Sequence, residues 1–200
     1  MRAKVKICGV GINDADYSVN PSIDGKRVMC PYYNTWRHMI VRCYMDDAKR
    51  RPGFETPYIG CSVVEEWHKF SVFKSWMETQ DWRNKCLDKD LKVYGNKVYG
   101  PDTCIFITQD LNKLISEGRA SSYGLKKGLT LDHGKYRARI RKYGKLYQIG
   151  NFDNEDDAHS AWITARKEYL QEVAENSNPE IKKMILNYME CEFKLSLIHI

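Results

Sequence analysis

Lys135-Tyr136-Arg137-Ala138-Arg139-Ile140-Arg141, followed by Lys142-Tyr143-Gly144-Lys145 and Leu146-Tyr147-Gln148-Ile149-Gly150, is the stretch on which the reading of this chain turns. Basic and apolar residues alternate strictly over the first seven positions. Successive side chains of a β-strand project to opposite faces, so Lys135, Arg137, Arg139 and Arg141 share one face, and Tyr136, Ala138 and Ile140 the other. Lys142 to Lys145 reads as a hairpin turn and Leu146 to Gly150 as the return strand. Downstream, Asp153 or Asn154 can cap a helix whose first turn is acidic (Glu155, Asp156, Asp157), with Ala158, Ala161, Trp162, Ala165 and Tyr169 along one face. The small alanines let that helix lie close on the apolar side of the sheet. Four like charges are not buried without compensation, and residues 121–152 hold eight basic side chains against one acid, Asp132. The charged face is therefore expected to meet solvent or an anionic partner. Duplex DNA suits it, because β-ribbons fit the major groove and arginine bridges both guanine acceptors.

Charge is distributed unevenly elsewhere. Residues 1–120 carry 19 basic and 15 acidic side chains and residues 153–200 carry 5 and 10, within a chain of 200 residues and net charge +6. With 42% hydrophobic and 29% charged residues, the chain reads as globular rather than disordered or fibrous. No apolar run approaches the roughly 20 residues that cross a bilayer, and the start lacks the apolar core of a secretion signal, so a cytoplasmic location and no membrane partner are expected. Seven cysteines, scattered without a Cys-x-x-Cys pair, read as reduced and mostly buried.

Five segments are expected. Residues 1–30, rich in Gly, Asn and Asp, read as an extended arm. Residues 31–118 form a first domain. Its Trp36, Met39, Ile40, Cys43 and Tyr44 mark a helix, and its Trp67, Phe70, Phe73, Trp76 and Met77 mark a second helical stretch whose aromatics belong to the core. A turn-rich loop, a short strand at Cys104–Ile107 and a helix from Asp110 to about Ser116 follow. Residues 119–128 read as a linker, 129–178 as the basic sheet and its helix, and 179–200 as a C-terminal helix and tail. The fold class expected is α+β.

Two resemblances add to this reading. Tyr136-Arg137-Ala138-Arg139-Ile140-Arg141, Ile149-Gly150-Asn151-Phe152 and Glu155-Asp156-Asp157-Ala158…Ala161-Trp162 resemble the DNA-binding domain of plant ethylene-response factors, the APETALA-two type, which also occurs in phage and mobile-element proteins. The resemblance covers about 50 residues. It implies a three-stranded antiparallel sheet packed on one helix, with DNA contacts from Arg139, Arg141, Leu146 and Gln148, and Lys135 and Arg137 near phosphates; Lys145, in the adjoining turn, is a further candidate contact. Arg139 and Gln148 stand where the plant domain commonly has an acid and a tryptophan, so its target sequence does not carry over.

Leu87-Asp88-Lys89-Asp90, Pro101-Asp102-Thr103-Cys104-Ile105-Phe106-Ile107 and Asn112 resemble the HNH (His-Me finger) endonucleases of phages, over roughly residues 31–115. That resemblance implies a ββα finger with flanking helices, a catalytic group drawn from Asp88, Lys89, Asp90 and Asn112, and Mg²⁺ or another divalent cation on Asp88 and Asn112. Such chemistry needs a histidine base and a metal at the scissile phosphate. Here Lys89 holds the base position and Thr103 the middle asparagine position, and a lysine is protonated at neutral pH unless strongly desolvated. None of the five histidines is an obvious replacement. An equal reading has Lys89, Asp90 and Asn96 hydrogen-bonding within the loop to keep it folded. The function expected is thus a phage-type protein of a host bacterial cytoplasm that binds double-stranded DNA through the basic sheet and nicks or cuts it with a divalent metal. The alternative is an inactive scaffold that binds DNA or inhibits a host protein.

Overall fold

The computed structural model describes residues 6–46, 58–116 and 124–195. It is mixed α+β, with five helices and several small sheets among the described residues, and its chain divides into two compact units between Ile107 and Thr108. That division falls upstream of the linker expected at 119–128, of which 119–123 lie outside the described residues.

The first unit is built on aromatics. Pro31 opens α1 (Pro31–Tyr44), where its missing N–H costs nothing and its fixed φ suits the helix. Trp36, Met39 and Ile40 of α1 are buried at the expected spacing. The second stretch is broken: a 3₁₀ turn at Glu65–His68 precedes α2 (Phe70–Glu78). The break is stabilised by the N-terminal segment. Ile12 N–H donates to the His68 carbonyl at 2.7 Å and Phe70 N–H to the Ile12 carbonyl at 3.0 Å. Asp14 then caps α2 by accepting from the Ser71 amide at 2.8 Å and the Ser71 hydroxyl at 2.5 Å. Much of the segment read as an extended arm is therefore packed: Ile7, Cys8, Val10, Ala15 and Val19 lie against the core, while the short hairpin of β1 (Ser22–Ile23) and β2 (Lys26–Arg27) and its flanking residues stand exposed. Sparse apolar residues hid this, because the segment gains its order from backbone hydrogen bonds to a distant helix start.

Within that core the Trp36 indole donates to the buried Trp67 carbonyl at 2.7 Å, and Trp67 packs edge-on to Phe73 at 5.0 Å between ring centres. The aromatics are core, as their spacing predicted. Short strands complete the unit: β3 (Ser62–Val63) runs parallel to β5 (Val98–Tyr99), and β4 (Lys85–Asp88) pairs with β6 (Ile105–Thr108). None of the seven cysteines, all of them among the described residues, is in a disulfide, and burial pushes the Cys104 thiol up to about 12.

The second unit begins with α3 (Gln109–Ile115), capped by Thr108, and contains a three-stranded antiparallel sheet in the order β7 (Leu129–Asp132), β8 (Lys135–Lys142), β9 (Lys145–Phe152). Two-residue turns join the strands, with φ of +48° and +76° at His133-Gly134 and +48° and +77° at Tyr143-Gly144. Positive φ at both central residues gives the primed turn whose twist matches the strands. The β8–β9 register slips once: Arg139 faces Gln148 while Ala138 faces Gly150, leaving Ile149 as a bulge. Asn154 caps α4 (Glu155–Glu175) by accepting from the Asp157 amide at 2.8 Å, and α5 (Pro179–Leu195) follows. Ala138 and Ala158 are fully buried where α4 meets the sheet. No helix among the described residues is long and apolar enough to cross a membrane.

Candidate nucleic-acid interface

The two charged clusters anticipated from sequence differ in how the fold treats them. Asp88, at the end of β4, and Lys89, next to it, are only 5% and 6% exposed. Asp88 Oδ1 accepts from the amides of Asp90 and Leu91 at 3.0 and 2.8 Å, a local turn in which the carboxylate replaces missing backbone partners. Loss of solvent raises the Asp88 carboxyl to about 6, against the lowering effect of those two amides. The Lys89 ammonium donates to Asp90 Oδ1 at 2.5 Å and to the Asn96 carbonyl at 2.7 Å, and lies over the Tyr99 ring. Asn96 answers by donating from Nδ2 to the carbonyls of Lys89 and Val98, at 3.0 and 2.7 Å. Thr103, at the middle asparagine position, donates to the Val98 carbonyl at 2.7 Å. Lys89, Asp90 and Asn96 thus bond to one another across the loop.

The groups expected to hold a divalent cation are in part engaged within the loop. One oxygen of Asp88 is engaged by two amides, the loop's own ammonium sits on Asp90, and no group of three or more His, Cys, Asp or Glu suited to a metal occurs among the described residues. Asn112 lies on α3, which belongs to the second unit, whereas Asp88 belongs to the first.

The basic ribbon is the other cluster. The alternation on β8 holds: Ala138 and Ile140 are buried against α4's side, while Arg137, Arg139 and Arg141 face away with their cross-strand neighbours Asn151, Gln148 and Leu146. The expectation that this face lacks internal counter-ions needs correction for two of its four members. Arg137 pairs with Asp132, which lies on β7 diagonally across from it, and Lys135 pairs with Asp153 just past β9. Both acids were visible in sequence, but their reach across the sheet follows from strand register. Arg139 and Arg141 bind neutral oxygens only. Arg139 donates to the Thr130 hydroxyl at 3.1 Å and Arg141 to the Gly144 carbonyl at 2.5 Å, and neither has a carboxylate partner among the described residues. Lys145 and Gln148 are exposed beside them, and Leu146 is 52% exposed.

Comparison with known protein families, curated proteins and solved structures finds no match to this chain. The ribbon is held rigidly at its tip, where the Tyr143 amide donates to the Tyr169 hydroxyl at 2.9 Å and the Tyr143 hydroxyl to Glu172 at 2.9 Å.

Arg166 escaped the sequence reading, although it interrupts the apolar face of α4 one turn beyond Trp162. It is 5% exposed, donates through Nε and a terminal nitrogen to the Leu114 carbonyl at 3.2 and 2.8 Å, and pairs with Glu192 at 2.7 Å. Tyr188 donates to the Ile115 carbonyl at 2.7 Å. These two side chains satisfy carbonyls at the end of α3 that no intrahelical donor reaches.

Proposed function

We propose that this chain binds duplex DNA through the β8–β9 ribbon of its second unit, with the loop around Lys89 serving as a folded scaffold. One observation carries the reading. Arg139 and Arg141 stand on one strand face without a carboxylate partner among the described residues, next to the exposed Gln148 and Leu146. Side chains two apart on a strand are about 7 Å apart. At that distance two guanidinium charges repel by roughly 0.6 kcal/mol in water and about 2 kcal/mol at a protein surface. A phosphate backbone relieves that repulsion, and the inventory of arginine, glutamine and leucine matches the acceptors, donors and methyl groups of the major groove.

The test is fluorescence anisotropy of a labelled duplex of about 20 base pairs with the full chain. Binding is expected at 50 mM salt, falling about a hundredfold by 200 mM if four phosphates are neutralised. The Arg139→Ala/Arg141→Ala double variant should weaken it by about 30-fold or more. No binding at 50 mM salt, or an unchanged double variant, overturns the reading.

A further inference from the structure

Within the second unit, α3, the edge of β8 and α4 enclose a cleft of about 170 Å³. Strand pairing of β7 with β8 stops at Leu129 opposite Ala138, one further bond runs from the Arg139 amide to the Gly128 carbonyl at 2.9 Å, and beyond it β8 has a strand neighbour on one side only among the described residues. This end of β8 lines the cleft. Its walls include Lys113 of α3, Arg139 and Arg141 of β8, and Trp162 and Arg166 of α4.

Three features make it an anion site. Its charge is positive: Arg166 is matched by Glu192, but Lys113, Arg139 and Arg141 have no carboxylate partner among the described residues, against one acid in the wall, Asp110. The C-terminal end of α3, whose free carbonyls would repel an anion, is already neutralised, because Leu114 and Ile115 accept from Arg166 and Tyr188. A directed neutral donor is present as well. The Trp162 indole lies against Gly128, whose φ is +79° and where an added Cβ would come within 2.2 Å of the indole nitrogen. The indole N–H has no hydrogen-bond acceptor among the described residues, and an indole can only donate.

Size selects the ligand. About 170 Å³ is below the roughly 300 Å³ at which pockets begin to take drug-sized molecules, yet it holds several waters at about 30 Å³ each. A tetrahedral oxyanion with its hydration fits. We propose that this cleft binds a phosphate group, held by Lys113 and the Trp162 indole N–H with Arg139 and Arg141 adding positive charge from the β8 rim, and that on DNA the group is a backbone phosphodiester flanking the bases the ribbon faces. The second half rests on the DNA reading above.

The experiment uses the full-length chain and inorganic phosphate as probe, following indole N–H resonances by NMR, with Trp162→Phe to assign the resonance. Phosphate should shift the Trp162 signal saturably, and Lys113→Ala should weaken that titration about fivefold or more. On a duplex of about 20 base pairs, Lys113→Ala should reduce the slope of log affinity against log salt by about 0.9 and weaken binding three- to tenfold at 50 mM salt, with the other indole resonances unmoved. If phosphate leaves the Trp162 signal in place, or Lys113→Ala changes neither titration nor slope, the cleft is not a phosphate site. If the phosphate titration responds to Lys113→Ala but the duplex salt slope does not, the backbone half is overturned and the ligand is a free phosphate. A chain that binds phosphate here and no duplex at all refutes the DNA reading and leaves the anion site standing.

Discussion

Lys89 in the first unit and Arg139 in the second are both cations next to strands, and the fold treats them oppositely. Around Lys89 every partner is local: Asp90 beside it, the Asn96 carbonyl seven residues on, and the Tyr99 ring. Removing that ammonium from water is compensated within one loop. Arg139 and Arg141 keep their charges at the surface of a sheet whose other side is sealed by α4, with only a hydroxyl and a carbonyl for partners. A cation whose hydrogen bonds close a loop holds the fold together. A pair left with neutral acceptors retains its electrostatic capacity for something outside the chain. Sequence resemblance pointed to both clusters, and hydrogen-bond geometry separates them.

Three substitutions sharpen or break this contrast. The largest effect is expected from Gly128→Ala in the second unit. Its methyl would meet the Trp162 ring at 2.1 Å, in a backbone conformation that L residues avoid, and overpacking together with the positive φ should cost about 3 kcal/mol. Urea unfolding followed by Trp fluorescence measures it, and a loss below about 1 kcal/mol would mean that α4 is not fixed against the sheet by this contact.

Asp88→Asn comes next. A carboxyl whose folded value, about 6, lies above its unfolded value of 3.8 holds its proton more tightly in the native state. Native stability therefore has its full contribution from this group below the unfolded value and loses it as pH rises to about 6. Asparagine keeps the acceptor for the Asp90 and Leu91 amides and carries no charge to desolvate. The variant should be more stable than the parent by about 1–3 kcal/mol at pH 7.5, and the two should converge by pH 4. A variant that is less stable at pH 7.5 would show that the ionised carboxylate is needed, and would return Asp88 to the list of candidate working groups.

The smallest effect is expected from Asp132→Asn. It frees Arg137 from its ion pair, so duplex affinity should rise about two- to fivefold at 50 mM salt and the gain should shrink by 200 mM, as an exposed pair is worth under about 1 kcal/mol. A fall in affinity would place Asp132 among the groups that position the ribbon on DNA.

The parts of the fold legible in sequence were those set by local periodicity. The alternation of Lys135–Arg141, the Tyr143-Gly144 turn and the Asn154 cap with its acidic first turn each specify an element from a few neighbouring residues, and each is present. Trp36, Met39 and Ile40 likewise announced a buried helix face. What stayed hidden depends on contacts distant in sequence. The ordering of residues 6–30 comes from Ile12 and Asp14 meeting a helix start 57 residues away from Asp14. Likewise α3 belongs to the second unit, where Arg166 holds a carbonyl at its end from 52 residues away. Of the candidate site residues, Arg139 and Arg141 could be singled out only once register showed that Asp132 and Asp153 reach Arg137 and Lys135 instead.

Ile149 has a consequence for how recognition by this ribbon could be dissected. As the surplus residue of the β8–β9 ladder, it can be deleted without moving any other side chain to the opposite face: Gln148, Gly150 and Asn151 would still oppose Arg139, Ala138 and Arg137 in turn. The local bend and the extra twist of the bulged strand would go, together with the packing of the Ile149 side chain against the core under the sheet. Ile149 is therefore a position at which the curvature of the ribbon can be removed while the groups on its charged face are kept, so that the shape of the ribbon and its surface chemistry are separable by one codon.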